Sequence, residues 1–377
     1  MKWFLRGLAA IVGVPFLLLA LLALAIAIAP ERAVEAPAGD AIPGLFHVHA
    51  EASHDGHGTL EEAAAAAREA GARFLVLTEH NVLRPDRPLV IDGVLVVPAV
   101  EISAKAGHVI AIGPTEVPPK PERGEGILEA IAARGGEAVL AHPVNLRRPW
   151  SDPSPDGFTG FEGLTLDSAF REAKAHAPWR LALALAALVG DREKTGAILI
   201  ERPADAFARY DEIAARRPVA LLCGVDAHGL PPYEASFGAL RLHLVLPPEA
   251  RAAWGRDPLA DGAAVREAIR AGRNFCSVPT LGEAGSFHFG LEAAAADEDE
   301  AAGAAPSVVA RMDAPGITLV LFRDGREVAR GRGPELRLPA GTGVWRAEVL
   351  VDEPGFPFRD GALWIASSAM RVPAYDG

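Results

Sequence analysis

A chain of 377 residues, half of them hydrophobic, has the material for a sizeable core and for roughly two or three domains. Lys and Arg total 37 against 49 Asp and Glu, a formal charge of −12. That balance excludes a general grip on nucleic-acid duplexes, which needs a basic surface, but it leaves room for anionic substrates held through metal ions.

The first element is apolar. Leu8 to Ala29 carries no charge over 22 residues, and Lys2 and Arg6 precede it. The length suits a bilayer-spanning helix, and the basic flank suits a cytoplasmic N-terminus. The reading favoured over a cleaved signal peptide is an uncleaved single-pass anchor in the inner (cytoplasmic) membrane. The remainder would then lie on the periplasmic side. Residues 30–43, rich in Ala, Pro and charge, read as a tether.

The next stretch, Leu45-Phe46-His47-Val48-His49, alternates apolar residues with imidazoles. Residues two apart on a strand share a face, so His47 and His49 present their rings together. Asp55 follows in an Asp-Gly turn. Two imidazoles and a carboxylate this close are a divalent-metal arrangement. Thr59 then caps an Ala-rich helix to Ala70, stopped by Gly71.

A pattern recurs from there. Short apolar runs of β-forming residues end in, or open beside, His, Asp or Glu: Phe74–Leu77 before Glu79 and His80, Val94–Val100 before Glu101, His108 ahead of Val109–Ile112, Ala138–Ala141 before His142, and Val219–Val225 before Asp226 and His228. Continuous apolar runs suit strands buried on both faces. Helices over 126–134 and 203–216 lie between some of them, which argues a barrel-like α/β domain with its chemistry at strand C-termini.

Residues 145–200 are less regular. Arg147-Arg148-Pro149-Trp150 opens a long loop to Gly160, Phe161 to Leu164 reads as a strand, and Leu181 to Val189 as a buried helix or part of a lid. Arg147 and Arg148 are candidates to clamp a phosphate by paired hydrogen bonds, with Lys105 a weaker one. Glu162 could line the mouth of the site. His54 and His57 are candidates for a general acid, although solvated loop histidines are the simpler reading. Cys223 and Cys276 both sit in apolar runs and read first as buried small hydrophobes, with a disulfide as the alternative.

Beyond Leu240–Leu246 (a strand) and Ala263–Ala271 (a helix), the texture changes. An acidic run, Asp297-Glu298-Asp299-Glu300, reads as a solvated loop. Short strands with turn signals then suggest a small, accessory β-sandwich. The expected division is an anchor over 1–29, a linker over 30–43, a catalytic domain over 44–282 and the sandwich over 283–377.

Taken together, His47-Val48-His49, Ser53-His54-Asp55-Gly56, Thr78-Glu79-His80-Asn81, Val100-Glu101-Ile102-Ser103, Gly107-His108, Ala141-His142-Pro143 and Gly224-Val225-Asp226-Ala227-His228 resemble the PHP (polymerase and histidinol phosphatase) family. Arg270-Ala271-Gly272-Arg273 and Trp364-Ile365-Ala366 resemble, more loosely, its anchored or exported subgroup with a C-terminal sandwich. Glu79 departs from the Asp usual in the family, at a position that is not normally a ligand.

The resemblance implies an α/β fold of the distorted (β/α)7 barrel type and a cluster of two or three divalent metal ions, Zn, Mn or Fe. His47, His49, Glu101 and Asp226 would hold the first ion. Glu101, His108 and His142 would hold the second, with Glu101 bridging, and Asp55, His80 and His228 the third. It further implies hydrolysis of a small anionic phosphate mono- or diester by a hydroxide between metals, with Glu101, Asp226 and His142 central. A carboxyl-ester or carbamate hydrolase on the same metals is the alternative, and a non-catalytic binding module a more distant one.

Overall fold

The structure, a computed structural model, describes residues 2–30, 33–119, 126–152, 156–293 and 306–373, with side chains described from residue 14 onward. The acidic run at 297–300 lies outside the described residues. In chain order the first half comprises α1 (Lys2–Ala27), β1 (Ile42–Val48), α2 (Leu60–Glu69), β2 (Phe74–His80), β3 (Leu89–Ile91), β4 (Val94–Ala104), β5 (Gly107–Ile112), α3 (Ile127–Ala132), β6 (Glu137–Ala141) and β7 (Gly160–Thr165). Then come α4 (Leu166–His176), α5 (Pro178–Gly190), α6 (Lys194–Ala197), α7 (Ala204–Arg216), β8 (Ala220–Gly224), α8 (Tyr233–Phe237), β9 (Arg241–Leu244), α9 (Pro248–Ala253), α10 (Pro258–Arg270) and β10 (Asn274–Ser277). The last part is all strand: β11 (His288–Glu292), β12 (Ser307–Arg311), β13 (Ile317–Arg323), β14 (Arg326–Arg332), β15 (Glu335–Pro339), β16 (Gly343–Val351), β17 (Ala362–Ser367) and β18 (Met370–Val372).

The pairing corrects the expected (β/α)7 barrel with its own C-terminal sandwich. The protein is a mixed α/β structure built on one 15-stranded mixed sheet and a separate three-stranded antiparallel sheet, β11-β12-β15. β1, β2 and β4 run parallel, as do β6, β7 and β8. β5, however, is antiparallel to both of its neighbours. The reason is local. Only the turn Lys105-Ala106 joins β4 to β5, and a parallel pair needs a crossover of a dozen or more residues.

The C-terminal strands do not stand apart either. β9 pairs antiparallel with β1, β10 with β9, and β17 with β10, so the sheet continues from the histidine-bearing strands into β16, β13 and β14. One apolar core runs through both halves, with Phe46, Phe74 and Trp364 all fully buried in it. Near the ends of β1 and β8 the backbones meet. Val225 donates to the Phe46 carbonyl at 3.0 Å, and His49 to the Ala227 carbonyl at 2.8 Å.

Cys223 on β8 and Cys276 on β10 form a disulfide, with Cα atoms 5.9 Å apart. The simpler sequence reading, two separate buried thiols, therefore gives way. Adjacent to the bridge, Asn274 donates to the Leu221 carbonyl at 2.6 Å, and Ser368 accepts from the Leu221 N–H at 2.9 Å.

The expected membrane anchor is also corrected. Among the described residues no helix is long and apolar enough to cross a membrane, so the single-pass inner-membrane and periplasmic placement is not supported. What α1 does instead is pack on the protein. Ala23 and Ile26 are buried against Ala186 and Ala187 of α5 and Ile198. Gly190, at the end of α5, lets the chains approach so closely that a Cβ there would lie 2.2 Å from the Ala23 carbonyl oxygen.

Candidate metal centre

Strand ends assemble the centre. His47 lies in β1, His49 one residue past its end, and His80 closes β2. Glu101 sits within β4 with its carboxylate buried, and His108 lies on the neighbouring β5. His142 follows β6, and Asp226 and His228 follow β8.

Four of these segments turn inward through a left-handed backbone. His47 has φ 66°, Asn81 57°, His142 32° and Asp226 47°. That region is disfavoured for residues with a Cβ and clusters at functional sites. At His47 it replaces simple strand alternation, and the β1–β2 register slips between Phe46 and Val48. The two rings still converge, with centroids 5.1 Å apart.

Nine sequence-derived ligand candidates meet here. Three groups each bring donor atoms within 4.8 Å of one another: His47, His49, Glu101 and Asp226; Glu101, His108 and His142; and His49, His80 and His228. The first two match the expected sets. In the third, His49 stands where Asp55 was expected. Asp55 lies beside that group, its Oδ2 3.5 Å from His80 Nε2 and 3.6 Å from His228 Nε2, and its side chain is half exposed.

The tautomers follow from the partners. His47 Nδ1 lies 2.9 Å from Glu162 Oε1, so the ring donates to that carboxylate, and in its neutral form the lone pair is on Nε2. Ser53 donates to Glu79 at 2.5 Å and accepts from His80 N–H at 2.9 Å. The contact of His49 Nδ1 with Ser53 Oγ at 3.2 Å is then a donation by the ring. His228 Nδ1 donates to the Asp226 carbonyl at 2.9 Å. In all three rings, Nε2 is left as a lone pair aimed at the cluster.

At His47 and His49 that nitrogen has no hydrogen-bond partner. His47 Nε2, His49 Nε2, His80 Nδ1, Glu101 Oε2 and Asp55 Oδ1 are buried and unsatisfied. Both His47 Nε2 and His49 Nε2 sit 3.2–3.3 Å from Glu101 Oε2 and 3.3 Å from Asp226 Oδ1. A tetrahedron with ligand bonds of about 2.1 Å has edges of about 3.4 Å, so this spacing is that of atoms sharing an ion. Five orphaned donors in one buried spot would otherwise be costly. The residues therefore fit a divalent metal, and these buried clusters could hold metal ions.

The carboxylates make the site attract positive charge, carried by protons on the rings where no ion is bound. Burial disfavours a charged His47, yet Glu162, Asp226 and Glu101 outweigh it and hold the group well above the usual histidine range. His49 is likewise raised, to about 9, by Asp226 and Glu101 against burial. Burial also opposes ionisation of Glu101, but the surrounding histidines, His47 first, hold its carboxyl well below the usual range. Burial dominates at His80, which falls to about 4 despite Glu101.

The cluster opens into a cavity of about 510 Å³. Arg147 and Arg148 line it, as expected, and Arg148 Nη1 stands 2.9 Å from His108 Nε2. Asn145 fixes their loop, its Oδ1 accepting from the Arg147 and Arg148 N–H groups at 2.8 and 3.3 Å. Arg171 from α4 joins them, paired with Asp167 at 2.7 Å. Sequence reading missed Arg171, because an Asp and an Arg four apart on a helix look like ordinary surface pairing. His54 reaches the cavity, whereas His57 and Lys105 do not line it. Glu162 is not at the mouth but buried behind His47.

No family model matches the chain, and no curated protein matches it.

Proposed function

We propose that this protein is a metal-dependent hydrolase of phosphate mono- or diesters, of the PHP type, loading two or three divalent ions from Zn, Mn or Fe. The observation that carries the reading is the convergence of three ligand groups on the floor of a cavity whose wall carries Arg147, Arg148 and Arg171. Ions bound there supply a water of lowered pKa and a Lewis acid for the ester oxygens.

The chain's own residues do the rest. Glu101 belongs to two groups and ties them together. Asp226 adds the second buried negative charge that neutral imidazoles cannot supply. Arg147 is an exposed residue on the cavity wall, placed to meet a phosphate oxygen, and Arg148 and Arg171 add positive charge to the same wall. A planar, permanently charged fork suits phosphate better than a neutral acyl group.

Metal analysis of the purified protein, followed by a panel of chromogenic phosphate and carboxyl esters, tests the reading. Bound transition metal with turnover of phosphate esters is the expected result. Rapid turnover of neutral carboxyl esters alone would move the protein to the ester or carbamate hydrolases. Absence of bound metal would defeat the proposal.

A further inference from the structure

We infer that Glu162 is the positioning residue of the metal centre, orienting His47 through its ring and His142 through its backbone. The inference rests on the metal-site part of the proposed function and not on the choice of ester. Glu162 is 2% exposed and belongs to none of the three ligand groups. Both its oxygens are nevertheless committed to them. Oε1 accepts from His47 Nδ1 at 2.9 Å, and Oε2 accepts from the His142 backbone N–H at 2.7 Å while lying 3.2 Å from His47 Nδ1.

The fold is shaped to admit this carboxylate. A Cβ on Gly224 would lie 2.0 Å from Glu162 Oε1 and 3.0 Å from the His47 Cβ, so only glycine leaves the space. The β7–β8 register also slips between Glu162 and Leu164. The two residues Glu162 holds both have left-handed backbones, at φ 66° and 32°, and they serve different ligand groups. A single buried carboxylate thus sets a tautomer in one group and a backbone turn in the other. Such a partner fixes the ring orientation of a ligating histidine and raises its basicity.

Glu162→Gln separates this role from mere filling of space. The amide keeps the size but removes the charge and sets an NH2 where one carboxylate oxygen now accepts, so one of the two N–H groups faces a donor or must share the remaining oxygen. With zinc as the probe, the variant is expected to keep the wild-type circular dichroism and to bind about ten- to a hundredfold more weakly. Its cobalt-substituted form is expected to show a shifted visible spectrum. In zinc-loaded wild-type protein, nitrogen-15 NMR is expected to find His47 protonated at Nδ1, with that proton far downfield. Wild-type zinc affinity and an unchanged cobalt spectrum in the variant would overturn the inference, as would a His47 ring unprotonated at Nδ1. The NMR result decides the matter even if the variant fails to fold. A wild-type protein that binds neither zinc nor cobalt would instead remove the metal reading, and the inference with it.

Discussion

Glu101 is the residue whose loss should be felt most widely, because it is shared between two ligand groups and approaches five imidazoles, His47, His49, His80, His108 and His142, within 3.3 Å. Glu101→Gln keeps the volume and removes the charge. Elemental analysis should find less bound metal, and ester turnover should fall by orders of magnitude; full metal content with full activity would refute the mechanism. Arg147→Ala should behave differently. Metal content should stay, and the KM for phosphate esters should rise by roughly tenfold, the worth of one charge-assisted hydrogen bond. A separate residue carries a pH signature. His243 is buried, its Nε2 2.9 Å from Ser277 Oγ and its ring stacked on Phe275. Burial, reinforced by Arg241, lowers it from 6.5 to about 3. The unfolded chain therefore takes up this proton below about pH 6.5 while the folded protein does not. Stability should fall by up to about 1.4 kcal/mol per pH unit across that window, levelling near pH 3. Denaturant titrations of His243→Gln between pH 6.5 and 4 should show a shallower acid loss than wild type. At this scale the sequence was readable for the side chains that gather in the cluster, since His, Glu and Asp recur at the ends of its apolar runs. It put Glu162 at the mouth instead of behind His47 and gave Ser53 no role, because both act through hydrogen bonds to the cluster residues around them.

Among elements, most apolar runs read as strands do form strands, and the helix after Thr59 forms with the expected cap. Thr59 accepts from the Glu62 N–H at 3.1 Å, and Glu62 returns the bond at 2.7 Å, a reciprocal capping box. Thr59→Ala should cost about 1 kcal/mol, measurable as a lower denaturant midpoint at unchanged slope. Strand direction was not legible. Val109 to Ile112 has the same apolar texture as its parallel neighbours, and only the two-residue connection before Gly107 reveals that it runs the other way. The left-handed turns at His47, His142 and Asp226 were equally hidden, because nothing in a histidine or an aspartate announces its φ.

For the whole molecule, the main surprise is continuity. The short C-terminal strands were legible, but they form no sandwich of their own, and nothing in the sequence showed that β17 would take the open edge of β10. The two halves are joined by charge as well. Arg346 on β16 reaches Asp211 on α7 at 2.7 Å and also pairs with Glu348, which accepts in turn from Arg202 at 2.6 Å. Arg346→Met should destabilise the protein by about 3 kcal/mol, since it strands a half of a buried pair. Ending the chain at Gly282 should do far more. It would bare the edge of β10 and remove Trp364, whose indole donates to the Gly282 carbonyl at 3.1 Å. Such a protein is expected to aggregate on size exclusion; a soluble monomer with a cooperative melt would show that the C-terminal strands are dispensable.

The overlap of the ligand groups has one more consequence. His49 appears in two of them, yet its Nδ1 is occupied by Ser53 and its Nε2 has a single lone pair to give. Two ions cannot both claim it. On the proposed loading, an ion at His80 and His228 would need the half-exposed Asp55 as a further ligand, and it would exchange with solvent faster than one held at the buried Glu101. A chelator should accordingly strip the protein in two kinetic phases, the labile fraction leaving first and Asp55→Asn abolishing that phase alone.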